Sequence, residues 1–182
     1  VAEVARARLR LDQVWLMVSP GNPLKPAQGM ATLADRLASA RAIGDGRRIL
    51  ATDIEARLRT RYTVDTLAAL RTRFPRASFV WLMGADNLEQ LPRWRGWRRI
   101  AAQVAFAVLP RPGYNHRALA SHAAHRLAAA RLPVHEAASL ARRTPPRWVF
   151  LPAAQNAASA TAIRLARTGD HHHRPQAPRP AV

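Results

Sequence analysis

The sequence has no cysteine, one lysine (Lys25) and only 11 acidic residues against 29 basic ones. Without thiols there is neither a disulfide framework nor a thiolate metal site. No apolar run approaches the length of a membrane span. No signal-peptide pattern opens the chain, so the expected compartment is the cytoplasm, with no membrane partner.

What is present is a 182-residue chain, 48% apolar, with a net charge of +18 carried almost wholly by arginine. That length allows one domain with a full core. A charge of this size raises nucleic acid as a partner. The arginines are spread along the chain rather than gathered into a block, however, and small polyanions such as nucleotides suit the charge equally well. Nucleic acid is therefore not the expected primary ligand. The chain begins with Val1 and enters at once into a helical pattern, as a fragment or a late start site would.

Val1–Arg10 reads as an amphipathic helix and Gln13–Val18 as a buried strand running into a loop with three prolines and Lys25. Met30–Ile43 reads as a helix, Arg48–Thr52 as a short strand, and Thr63 to about Pro75 as a helix with Thr63 as its N-cap. Ser78–Met83 has no alternation, as expected of a strand buried on both faces. Short helices follow through Gln103, then a strand at Val104–Leu109 and a helix at Tyr114–Ala130. Leu132–Arg147 reads as a loop with a short helical piece, Trp148–Leu151 as a last strand and Ser159–Arg167 as a last helix. Residues 1–168 are expected to form the domain, and 169–182 a disordered basic tail rich in Pro and His. Strands alternating with helices imply an α/β fold with a parallel sheet. His116, His122 and His125 have no carboxylate near them in sequence and read as solvated or packed side chains.

Three constellations carry chemistry. Gly84, at the end of an apolar strand, lets a ligand approach the backbone. Asp86 can cap the next helix or bind a ribose hydroxyl, and in open α/β sheets ligands sit at that end of the strands. Trp94 and Trp97 are three apart among arginines: one can line a pocket as a platform for an aromatic ring while the other, Trp97, packs. Ser159, Thr161 and Arg164 open the last helix, where free amides, hydroxyls and a guanidinium suit phosphate. The bland alternatives are a capped helix, a packed tryptophan and, at Lys25, an ordinary solvated loop charge.

Taken together, these segments resemble the bacterial nicotinate-nucleotide adenylyltransferases. VWLMVSPGNPLKP looks like that family's second strand and substrate loop, and RYTVDTLAAL like its Tyr-Thr-x-x-Thr-Leu helix start. FVWLMGADNLEQLPRW looks like its Gly-Ala-Asp-Asn strand end and tryptophan. SATAIR looks like its Ser-x-Thr-x-Ile-Arg phosphate motif, departing from the usual form at Ala158 and Ala160.

The resemblance implies a Rossmann-like nucleotidyltransferase fold and transfer of AMP from ATP to nicotinate mononucleotide, with Mg²⁺ held mainly by the phosphates and no protein metal site. It implies that Trp94 stacks on the pyridine ring, with Thr63 holding the nicotinate end. Gly84 and Asp86 would approach the nucleotide sugars. Ser159, Thr161 and Arg164 would hold the ATP phosphates, Ser159 and Arg164 acting in catalysis, and Lys25 would be a further phosphate contact. It also implies a first strand and a Gly-x-Phe-x-Pro-x-His-x-Gly-His motif before Val1, so the chain as given is expected to be inactive. Competing readings are a pantetheine-phosphate adenylyltransferase-like enzyme, a nucleotide-binding remnant without activity, and a basic nucleic-acid-binding protein. Oligomeric state is left open.

Overall fold

Among the described residues five short strands carry the fold, parallel within each of two separate sheets rather than one. The computed structural model describes residues 1–21 and 31–153. In chain order, helix α1 (Ala2–Leu9) precedes β1 (Val14–Met17), and α2 (Leu33–Ile43) joins it to β2 (Ile49–Thr52). The short α3 (Ile54–Arg57) and α4 (Thr63–Arg73) lead to β3 (Val80–Gly84). Next come α5 (Ala85–Gln90), a 3₁₀ turn (Leu91–Arg93) and α6 (Trp97–Gln103), then β4 (Ala105–Leu109). Helices α7 (Asn115–Leu119) and α8 (His122–Arg126), then 3₁₀ segments at Ala128–Ala130 and Val134–Arg142, lead to β5 (Trp148–Phe150). No helix among the described residues is long and apolar enough to cross a membrane.

Strand β4 lies between β3 and β5, and Phe106 sits in register with Trp81 on one side and Trp148 on the other. Alternation along β4 sends Phe106 and Val108 to one face and Ala105 and Ala107 to the other. The first face holds a buried cluster with Met83, Leu88, Leu91 and Trp148 under α5 to α8. Phe106 and Trp148 stack there with centroids 5.8 Å apart, and the indole N–H donates to the Leu127 carbonyl at 2.8 Å. On the other face the small alanines let Ala5 and Leu9 of α1 and Ala137 and Leu140 of the 3₁₀ segment close over the sheet.

The β1–β2 pair is built differently. Only the first residue of each strand is buried, and α2 buries none of its residues. Its N-terminus is nonetheless well made: the Thr32 hydroxyl accepts the Asp35 N–H at 3.1 Å. The contact with the larger sheet is aromatic. Trp15 of β1 meets Phe74 and Phe79 edge-on, at 5.5 and 6.1 Å. Between the unpaired edges of β1 and β3 lies a cleft of about 1240 Å³, lined by Trp15, Leu16, Phe79, Val80 and Leu82 among others.

Several expectations need correction. β1 and β3 were expected to be buried strands. Most of their residues are only half-buried, because each strand is an edge of its own sheet. The helix expected over Tyr114–Ala130 is broken at Ala120, and Ser121 starts a new one by accepting the Ala124 N–H at 3.3 Å. Thr63 is the first helical residue of α4 and not its cap; Tyr62 holds the cap position without a side-chain bond. The helix expected at Ser159–Arg167 and the tail at 169–182 lie outside the described residues.

Candidate active site at the strand ends

Within each sheet the strands are parallel, so their carboxyl ends, and the residues that follow them, lie at one end of that sheet. After β1 the chain turns at Ser19 and Pro20, whose carbonyls accept from the Arg36 guanidinium at 2.7 and 3.4 Å. Lys25, Ser159, Thr161 and Arg164 lie outside the described residues.

After β2, Glu55 is buried at 7% exposure. Its Oε1 accepts from the Thr66 hydroxyl at 3.1 Å, and that hydroxyl lies 2.8 Å from the Thr60 hydroxyl. This network ties α3 to the first turn of α4, which fixes where Tyr62 and Thr63 stand. A buried carboxylate is costly unless it is hydrogen-bonded, so the network is what makes Glu55 tolerable there. Sequence reasoning gave Glu55 no role. An acid just past a strand is a weak signal, and its burial becomes visible only in three dimensions.

Trp94 comes to the same place from the other side. It ends the 3₁₀ turn, Trp97 begins α6, and the Trp97 N–H donates to the Trp94 carbonyl at 3.2 Å. The two tryptophans therefore do not share one helix. Between them Gly96 has φ 64°, and a Cβ there would stand 3.3 Å from Val64 Cγ2. Glycine thus allows both the left-handed turn and the close approach of this loop to α4. The half-buried Trp94 and Tyr62 both pack against the buried cluster of Val64, Leu67, Ile100 and Val104, and the Arg95 guanidinium lies 4.8 Å from the centre of the Tyr62 ring. Trp94, expected to stack on a pyridine ring, thus borders the same cluster as Tyr62 and Val64, the neighbours of Thr63, which is expected to hold the nicotinate end. Trp97 packs as expected, its partner being the edge of His122 at 6.0 Å.

At the end of β3, Gly84 and Asp86 form a unit. Gly84 has an ordinary φ of −75°, so the backbone angle does not demand glycine. The demand is for space, since a Cβ on Gly84 would collide with Asp86 Oδ1. The Asp86 carboxylate lies in that space. Asp86 does not cap α5, whose N-terminus has no side-chain cap bond. Its Oδ1 is buried without a hydrogen-bond partner among the described residues, and its Oδ2 lies 3.6 Å from Arg111 Nε.

The matching family model is the cytidylyltransferase-like one, and it spans residues 1–166. The chain belongs to this family of nucleotidyltransferases. Within it, a relative from Gluconacetobacter diazotrophicus is 62% identical over 164 residues, which are 90% of this chain and 76% of the relative. One from Gluconobacter oxydans is 58% identical over the same length, covering 84% of that protein. A third, from Parvibaculum lavamentivorans, is 52% identical and covered over 82%. Each of the three is named "Probable nicotinate-nucleotide adenylyltransferase". The resemblance drawn from four motifs and the α/β nucleotidyltransferase fold expected from it are both borne out.

Proposed function

We infer that this protein is a nicotinate-nucleotide adenylyltransferase, transferring the AMP of ATP to nicotinate mononucleotide in the cytoplasm. The observation that carries this is the 62% identity, over 90% of the chain, to a relative of that name. In the reaction a phosphate oxygen of nicotinate mononucleotide bonds to the α-phosphorus of ATP. The bond from that phosphorus to the bridging oxygen breaks, and pyrophosphate leaves with the electron pair. The dinucleotide product is a precursor of NAD.

The protein's part is positioning and charge stabilisation. Trp94 presents a face for the pyridine ring, beside Thr63 at the start of α4. Asp86 offers a carboxylate oxygen to a sugar hydroxyl. Lys25, Ser159, Thr161 and Arg164 are assigned to phosphate by their motifs alone. Mg²⁺ would neutralise charge on the triphosphate. Among the described residues no three His, Cys, Asp or Glu side chains gather as a metal site. Mg²⁺ bound with nucleotides is commonly held by phosphate oxygens together with one or two carboxylates.

The test is pyrophosphate release by the full-length protein from ATP with nicotinate mononucleotide, run beside pantetheine phosphate as acceptor. Turnover with the first and none with the second is expected. Turnover with pantetheine phosphate alone, or salt-dependent DNA binding without any turnover, overturns the assignment.

A further inference from the structure

We propose that Arg111 is a positioning residue for adenylyl transfer, pairing with Asp86 Oδ2 and so keeping the Asp86 carboxylate in place to meet a substrate sugar hydroxyl; this rests on the function inferred above. Arg111 stands just past β4, and Asp86 just past its neighbour β3, so the pair bridges two adjacent strand ends. The backbone of Arg111 is held on both sides. Its N–H donates to Asn115 Oδ1 at 2.7 Å, and its carbonyl accepts the Tyr114 N–H at 3.0 Å. From that fixed turn the side chain crosses toward β3, its Cδ 3.8 Å from where a Cβ on Gly84 would stand. Its Nε is then 3.6 Å from Asp86 Oδ2.

The other oxygen, Oδ1, is the group that needs a donor. It is buried and has no hydrogen-bond partner among the described residues, which is costly for a carboxylate oxygen. Gly84, by lacking a Cβ, makes room for it. A carboxylate paired with a guanidinium at 3.6 Å, its side chain 18% exposed and one oxygen unmatched, suits an O–H donor such as a ribose hydroxyl. Arg111 itself does not touch the substrate in this arrangement and acts through Asp86.

A second ion pair supplies the control. Arg117 and Glu89 join the same two segments at 2.6 Å, but Arg117 is two-thirds exposed and away from the strand ends. If Arg111 were only a clamp between β4 and α5, losing either pair would have the same effect.

The experiment is steady-state kinetics on the full-length protein with ATP and nicotinate mononucleotide, each variant also being melted. Arg111→Gln is expected to raise the KM for one of the two nucleotides about tenfold, the scale of one charge-assisted hydrogen bond. Asp86→Asn should raise the same KM. The double variant should be no worse than the weaker single one, because one residue acts through the other. Arg111→Lys should recover part of the loss, and Arg117→Gln should stay within about twofold of wild type. Losses that multiply in the double variant, different KM values affected by the two single variants, or an Arg111→Gln defect matched by Arg117→Gln or by a fall in Tm overturn the proposal. A wild-type protein without nicotinate mononucleotide turnover would instead overturn the function on which it rests.

Discussion

The two sheets show what a parallel strand needs. β4 has a partner on each side, helices over both faces and four of its five residues buried. β1 is similarly apolar, yet three of its four residues are only half-buried, since it has one partner and borders a cleft. None of the three buried clusters includes a residue of β1 or β2 among its described members, whereas strands of the larger sheet supply two of them. Hydrophobicity makes a segment able to be a core strand; neighbours on both edges make it one.

The largest effect should separate the halves outright. Trp148→Ala removes a fully buried indole, its stack on Phe106 and its hydrogen bond to Leu127. A loss of about 3–5 kcal/mol is expected by urea unfolding. Ile49→Ala, in the smaller sheet, should cost at or below about 2 kcal/mol, the bottom of the range for that truncation. Equal costs would mean that the two halves share one core after all.

Next comes the aromatic link. Phe79→Ala takes away a ring in contact with both Trp15 and Phe74. Amide exchange should quicken by about tenfold in β1 and β2, as expected when local opening becomes easier. The amides of β4 should be little changed. Faster exchange in all five strands would show that Phe79 supports the whole molecule and does not merely join its parts.

Trp94 belongs to the well-packed half yet is assigned to a ligand, so its two duties can be separated. Trp94→Ala should weaken use of nicotinate mononucleotide by about fivefold or more, since a base–aromatic stack is worth about 1–3 kcal/mol and a pyridine ring falls near the low end. Use of ATP should suffer less. Equal losses for the two nucleotides would reduce Trp94 to a packing residue.

The smallest effect tests acid sensitivity of the smaller sheet. Asp45 accepts the backbone N–H groups of Ile49, Arg47 and Arg48, which hold its pKa down to about 2 from an ordinary 3.8. The carboxylate therefore contributes stability that is fully present above about pH 4 and is lost as pH falls through about 2. In Asp45→Ala, exchange at β2 should be faster than wild type at neutral pH, and the difference should vanish toward pH 2. A difference that persists at pH 2 would mean the turn depends on something other than this charge.

The legible parts of the site were those encoded by local pattern. Gly84-Ala85-Asp86 at a strand end and Trp94 among arginines could be chosen from local pattern, whereas Thr63 entered the site only through the family resemblance. Glu55, Arg111 and Gly96 were not so legible. Glu55 matters because Thr60 and Thr66 meet it, and Gly96 because Val64 lies beneath it. Arg111 is one arginine among many until β4 is placed beside β3.

By itself the sequence determined the alternation of strands and helices, the absence of thiol chemistry, the family and most element boundaries, because these depend on residue type and on contacts near in the chain. Tertiary structure alone decided that the described strands divide into two sheets and that the Asp86 carboxylate lies beside Gly84. It also decided which of many arginines reaches Asp86. Those outcomes depend on the pairing of segments distant in sequence, and neither hydropathy nor spacing records which edge meets which.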